Sequence, residues 1–134
     1  MAWLLDTNAW IHYLKNPDTC IRSRLEKHTP DEIVVCAVVK AELLHGAQKY
    51  GAPNGARRSC MRRSLPTVRF PFDDTAAEHY ARIRHELEES GGRIGPHDLL
   101  IAAICLAHGC TLVTGNLAEF RRVRGLGVED WIAE

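Results

Sequence analysis

No two cysteines in this chain form a Cys-x-x-Cys pair, and the five present (Cys20, Cys36, Cys60, Cys105, Cys110) are an odd number. That fits neither a disulfide framework nor a zinc knuckle. The apolar neighbours of most of them mark buried thiols in a reducing compartment. Long hydrophobic runs are also missing. The longest, Leu99–Ala107, falls well short of the roughly 20 residues a membrane-spanning helix needs. No basic region precedes the short apolar start, and Asp6 interrupts it, so no secretory signal is expected and the chain reads as cytoplasmic. Net charge is absent, with 17 basic against 17 acidic residues. A protein that holds nucleic acid by bulk charge alone is thereby excluded, whereas a local basic face is not. Repeats, low-complexity segments and linkers are absent as well.

What remains is an ordinary globular composition, 46% hydrophobic and 25% charged over 134 residues. The size predicts a single domain, residues 1–134, with a real core. Trp3–Leu5 reads as a buried strand, followed by a short helix Asn8–Leu14 and a charged amphipathic helix at about Thr19–His28. Ile33–Cys36 is a continuous β-favouring run, as expected for a strand covered on both faces. Val38–Tyr50 repeats apolar residues at helical spacing. After a turn at Gly51–Gly55 comes a basic helix, Ala56–Leu65. Val68–Phe72 can be a short strand, which Pro71 confines to an edge or an end. Thr75 and Glu78 have the spacing of a capping box and open a helix that Gly91-Gly92 stops. Pro96 suits the first turn of a helix to His108, apolar nearly all round through Leu99–Ala107 and therefore central. Thr111–Thr114 is a further strand, Asn116–Glu119 a short capped helix, and Val128–Trp131 a last extended segment. This alternation predicts an α/β fold, an α/β/α sandwich with a mainly parallel central sheet.

The polar residues at strand ends carry the chemistry. Asp6 ends the first strand, and Asn116 follows the strand Thr111–Thr114. Glu42 lies in the first turns of the helix leaving Ile33–Cys36, and Asp98 opens the buried helix. In a parallel α/β sheet all four fall on the carboxyl edge of the strands, where ligands bind. Each has a plainer role available: Asp6, Thr7 or Asn8 as a helix cap, Asp98 as a partner of the helix dipole, Glu42 at the rim of a core face. Their coincidence on one edge favours a site. Carboxylates gathered in a cleft repel one another, and a divalent cation removes that cost. Oxygen donors without clustered His or Cys point to Mg²⁺ or Mn²⁺. Such a site suits phosphodiester hydrolysis, in which one metal activates water and a second, about 3.5–4 Å away, can stabilise the leaving oxygen.

At these residues the chain resembles a family. Leu-Leu-Asp6-Thr7-Asn8, Val-Lys-Ala-Glu42-Leu-Leu-His-Gly, Ile-Gly-Pro-His-Asp98-Leu-Leu-Ile-Ala-Ala and Leu-Val-Thr114-Gly-Asn116-Leu-Ala-Glu-Phe120 are similar to motifs of PIN-domain ribonucleases. The likeness is strongest to VapC-type toxins of type II toxin–antitoxin pairs. The ending Arg-Gly-Leu-Gly-Val-Glu-Asp-Trp131 fits that group too. The resemblance covers the whole chain and implies a PIN-like fold and a Mg²⁺- or Mn²⁺-dependent endoribonuclease acting on single-stranded or loop RNA. It further implies an antitoxin partner that occludes the site, and a homodimer. The family's metal-binding acids carry over to Asp6, Glu42 and Asp98, and Thr7, Asn8 and Thr114 match positions that support the site by hydrogen bonding. Many relatives have aspartate where this chain has Asn116. Glu119, three residues on, can supply the missing carboxylate or can cap the short helix. Two rivals remain: a catalytically inactive PIN-like domain that only binds RNA or protein, and a haloacid-dehalogenase-type phosphatase with Asp6 as nucleophile. The second wants an acid two residues on, where Asn8 stands.

Charge is unevenly spread. From Lys40 to Phe70 the net charge is +6, and from Asp73 to Ser90 it is −4. Arg57, Arg58, Arg62 and Arg63 therefore make an expected RNA-binding flank beside an acidic cleft. His97, next to Asp98, is within reach of substrate, although a surface histidine is the commoner case.

Overall fold

A computed structural model describes residues 1–15, 20–50, 66 and 68–133. Among these residues the strands are β1 (Trp3–Leu5), β2 (Ile33–Cys36), β3 (Arg69–Phe70), β4 (Thr111–Val113) and β5 (Gly127–Glu129). They form one sheet in the order β3-β2-β1-β4-β5, and every pairing is parallel. The helices are α1 (Thr7–Lys15), α2 (Cys20–Glu26), α3 (Ala37–Tyr50), α4 (Asp74–Ser90), α5 (Pro96–His108) and α6 (Leu117–Phe120), with a 3₁₀ turn at Pro30–Glu32.

Continuous apolar strands dictate this layering. Leu4, Leu5, Val34, Val35, Cys36, Leu112 and Val113 are each at most 1% exposed although successive residues point to opposite faces, so helices must cover both. The burial of α5, with Ile101, Ala102, Ala103, Ile104 and Cys105 fully enclosed, matches its nearly all-apolar sequence. Its other side packs against α4 through Ile83 and Leu87. Helices α4 and α5 both stop at glycines in the left-handed region, Gly91 (φ 73°) and Gly109 (φ 64°), which a side chain would strain. Trp3 donates to Glu129 (2.7 Å), and His28 stacks on Trp131 while lying tilted against Trp3.

Four expectations are corrected. The α4 cap is Asp73, whose side chain accepts from the Ala76 N–H, in place of a Thr75–Glu78 box. Asp73 wins because its carboxylate is the stronger acceptor at a helix N-terminus. Strand β3 keeps only Arg69–Phe70 of the expected Val68–Phe72; it is an edge strand, as Pro71 requires. The last strand is Gly127–Glu129, and Trp131 lies beyond it, buried. Asn116 is the N-cap position of α6, yet its side chain makes no capping bond. The turn Gly51–Gly55 and the helix Ala56–Leu65 lie outside the described residues. Among those described, no helix is long and apolar enough to cross a membrane.

Candidate active site

The chain runs outward from β1 through β2 to β3 and then returns to the opposite flank of β1 to make β4. The sheet's topological switch point therefore lies between β1 and β4, where a crevice opens at the strands' carboxyl ends. Asp6 follows β1 there, and its N–H donates to the Val113 carbonyl at 3.0 Å. Asp6 Oδ1 accepts from the Ala9 N–H at 2.9 Å, so this residue does cap α1. The cap and the site are compatible, because one oxygen serves the helix and the carboxyl group still faces the other acids.

Asp6 is 4% exposed. Burial raises its pKa; hydrogen bonds from the Thr114 hydroxyl and the Ala9 N–H work against that, while Glu42 and Asp130 add repulsion. Thr114 is itself fully buried, and its hydroxyl accepts from the Asn116 N–H at 2.9 Å. With its lone pair so engaged, the hydroxyl proton is directed at Asp6. Asn116 thus bears on Asp6 through its backbone.

The other acids arrive from three helices. Glu42, in the second turn of α3, accepts from the Thr7 hydroxyl at 2.6 Å, and its second oxygen lies 3.3 Å from His97 Nδ1. Asp98, in the first turn of α5, has a pKa raised to about 6 by burial first, and then by the charges of Glu119, Asp6 and Glu42. Glu119 reaches back from α6 to accept the Gly95 N–H at 2.9 Å and the Asn116 side-chain amide. The Asn116 N–H goes to Thr114, so Glu119 does not close a capping box; its carboxylate instead lies beside Asp98. Hydrogen bonding between Asp98 and Glu119 also helps hold Asp98 protonated.

The structure thus brings together Asp6, Glu42, Asp98 and Glu119, with Thr7, Thr114 and Asn116 bonded to them. Asn8 is different: it is exposed, and its side chain bonds to none of these acids. Arg57, Arg58, Arg62 and Arg63 lie outside the described residues. Two contacts had no sequence signal. Only the fold shows that His97 meets Glu42 across 55 positions of sequence, or that the loop before α5 receives Glu119.

The donors suit a hard divalent cation in kind. They are all carboxylate oxygens, and no lysine or arginine among the described residues pairs with them. Burial, and after it their mutual repulsion, raises the pKa values of Asp6 and Asp98, and a cation relieves both costs. They do not stand as a closed cage: no three His, Cys, Asp or Glu side chains among the described residues form a ready metal site. Glu42 and Glu119 are turned toward protein donors.

Comparison with known proteins bears on this geometry. Residues 3–126 match the PIN domain family. A tRNA(fMet)-specific endonuclease VapC from Salmonella typhimurium is 34% identical, with 98% of each chain covered. Ribonuclease VapC2 from Rickettsia felis is 33% identical, again over 98% of both. Among solved structures, DNA-bound VapBC from Salmonella typhimurium superposes with a TM-score of 0.89 at 33% identity, covering 98% of each chain. VapBC2 of Rickettsia felis on a promoter DNA fragment gives 0.87 at 30%, covering 98% of this chain and 99% of that one. A sheet with its acids at the β1–β4 switch point, matched over nearly its whole length by these proteins, belongs to the PIN domain family and, within it, to the VapC-type ribonucleases.

Proposed function

We propose that this chain is a Mg²⁺- or Mn²⁺-dependent endoribonuclease that hydrolyses single-stranded or loop RNA as the toxin of a toxin–antitoxin pair. The observation that carries this reading is the convergence of Asp6, Glu42, Asp98 and Glu119 on one crevice with no lysine or arginine among the described residues paired to them. A divalent cation bound there supplies positive charge for the phosphate oxygens and a means of activating water. Asp6, Glu42 and Asp98 are its direct ligands in this reading, and Glu119 takes the place of the fourth acid. Thr114 fixes the orientation of Asp6, and Thr7 fixes that of Glu42, as hydrogen-bonding partners of metal ligands commonly do. The Gly95 N–H and the Asn116 amide hold Glu119 over the start of α5. Arg57, Arg58, Arg62 and Arg63 serve as a phosphate-binding flank.

Relatives named tRNA(fMet)-specific endonucleases make tRNA the first substrate to try. Structural neighbours that are VapBC complexes support a cognate antitoxin as partner, and a homodimer belongs to the same reading. Membership of the PIN family sets aside the phosphatase with Asp6 as nucleophile. The metal assignment is tested by thermal unfolding with and without Mn²⁺. The ion should raise the melting temperature of the wild-type chain by roughly a few degrees and leave Asp98→Asn nearly unmoved. Equal shifts in the two proteins would contradict it.

A further inference from the structure

Helices α4 and α5 and the loop between them leave an open groove of about 430 Å³ lined by Tyr80, Arg84, Leu87, Glu88, Arg93, Ile94, Pro96 and Leu99. That volume lies within the range of small-ligand sites. One end is Pro96, the first residue of α5, two positions before Asp98. The groove has an apolar floor (Leu87, Ile94, Leu99), an aromatic wall (Tyr80) and a basic rim. Its one acid, Glu88, is already bound by Arg84 at 2.8 Å, and Arg84 also donates to the Tyr80 hydroxyl at 3.1 Å. Arg93 is exposed and enters no hydrogen bond or ion pair through its guanidinium among the described residues, although it lies in the field of Glu88. Its loop is held in place: Arg122 donates to the Arg93 carbonyl at 3.1 Å, and Gly95 donates to Glu119. Arg93 and Asp98 are five positions apart, a span of at most about 17 Å when extended and less here, since α5 begins at Pro96.

We propose that this groove is a nucleotide subsite for the unit of the RNA chain next to the cleaved bond, its base lying against Tyr80, Ile94 and Pro96 and its phosphate on Arg93. The inference rests on the endoribonuclease reading and goes further by naming where the flanking nucleotide sits. An unpaired cation on a fixed loop suits a phosphate. A cleft of mixed lining that offers an aromatic ring and aliphatic side chains suits a base of any sequence. Pro96 and Leu99, which line the groove, flank Asp98 in the first turn of α5 and so tie both to the acids.

The test compares the wild-type chain with Arg93→Ala and Arg93→Lys. Binding of a labelled single-stranded oligoribonucleotide is measured in EDTA across a salt series, and cleavage in Mg²⁺. Arg93→Ala should raise Kd and KM roughly five- to tenfold, leave kcat within about twofold, and flatten the slope of log K against log salt by about 0.7. Arg93→Lys should restore the slope. For the wild type, an abasic residue beside the cleaved bond should weaken binding by a similar factor. Unchanged KM and salt slope in Arg93→Ala would overturn the proposal. So would a shift of that variant's oligomeric state in gel filtration, which would assign the groove to a second copy of the chain. A wild-type chain that binds the oligonucleotide through Arg93 but never cleaves it would overturn the nuclease reading alone.

Discussion

Asp98 is half-buried and shares its space with Glu119, Asp6 and Glu42, and in the metal-free protein the cheapest relief is to keep a proton. Its pKa rises from an ordinary 3.8 to about 6, and that of Asp6 is raised as well. A carboxyl whose folded pKa lies above its unfolded one contributes stability in full below the unfolded value and loses it as pH climbs through the folded value. Metal-free protein should therefore be more stable near about pH 4.5 than near about pH 7. The difference attributable to Asp98 is on the order of 1 kcal/mol, discounted because water still reaches the group. Melting curves of the wild type and Asp98→Asn in EDTA check this. The difference between the two proteins should change across that window, and parallel curves would contradict it. Glu119 invites a separate prediction. If its carboxylate, which lies beside Asp98, helps hold the metal, Glu119→Gln should lower cleavage at least about tenfold, with partial recovery at high Mn²⁺. Near-normal cleavage across a Mg²⁺ titration would return Glu119 to a purely structural role.

At the scale of elements, α4 offers the sharpest discrimination between two readings of one stretch. Asp73, Thr75 and Glu78 all carry capping chemistry, and sequence spacing alone favours Thr75. The chain instead begins the helix at Asp74, so that the Asp73 carboxylate meets the Ala76 N–H at 2.9 Å. Asp73→Ala should cost about 1 kcal/mol in denaturant unfolding and Thr75→Ala less than about 0.5. The reverse order would contradict the observed cap. Elsewhere, local pattern was sufficient. The run Ile33–Cys36 and the helix Pro96–His108 match their expected bounds, because burial on all sides writes an uninterrupted apolar signal and because Pro96 and Gly109 mark the ends. Ends without such punctuation shifted by a residue or more, as at β3 and β5. The site was legible where each acid follows or precedes a strong strand, as with Asp6 and Asp98. The bonds from Thr7 to Glu42, from His97 to Glu42 and from Gly95 to Glu119 were not legible. They join segments distant in sequence, and their partners are fixed only by the packing of α1, α3, α5 and α6.

For the whole molecule, the switch point decides where the chemistry sits. Strand β1 lies at the centre of the sheet, and the reversal from β3 back to β4 opens the crevice beside it. Four elements distant in sequence each contribute one acid there. Charge is arranged on the same scale, with a net +6 between Lys40 and Phe70 in a chain whose total is zero. If Arg57, Arg58, Arg62 and Arg63 contact phosphates, replacing all four with alanine should weaken RNA binding and flatten its salt dependence by roughly 2–3 units of slope. An unchanged slope would leave them as solvated surface. The central claim is that the clustered acids make this chain a metal-dependent ribonuclease, and one measurement tests it most directly. Purified wild-type and Asp6→Asn proteins are incubated with tRNA in EDTA, and then with Mg²⁺ restored. The account predicts cleavage by the wild type only when Mg²⁺ is present, and a loss of at least about a hundredfold in a folded Asp6→Asn. Cleavage by Asp6→Asn at the wild-type rate, or by the wild type equally well in EDTA, would contradict it.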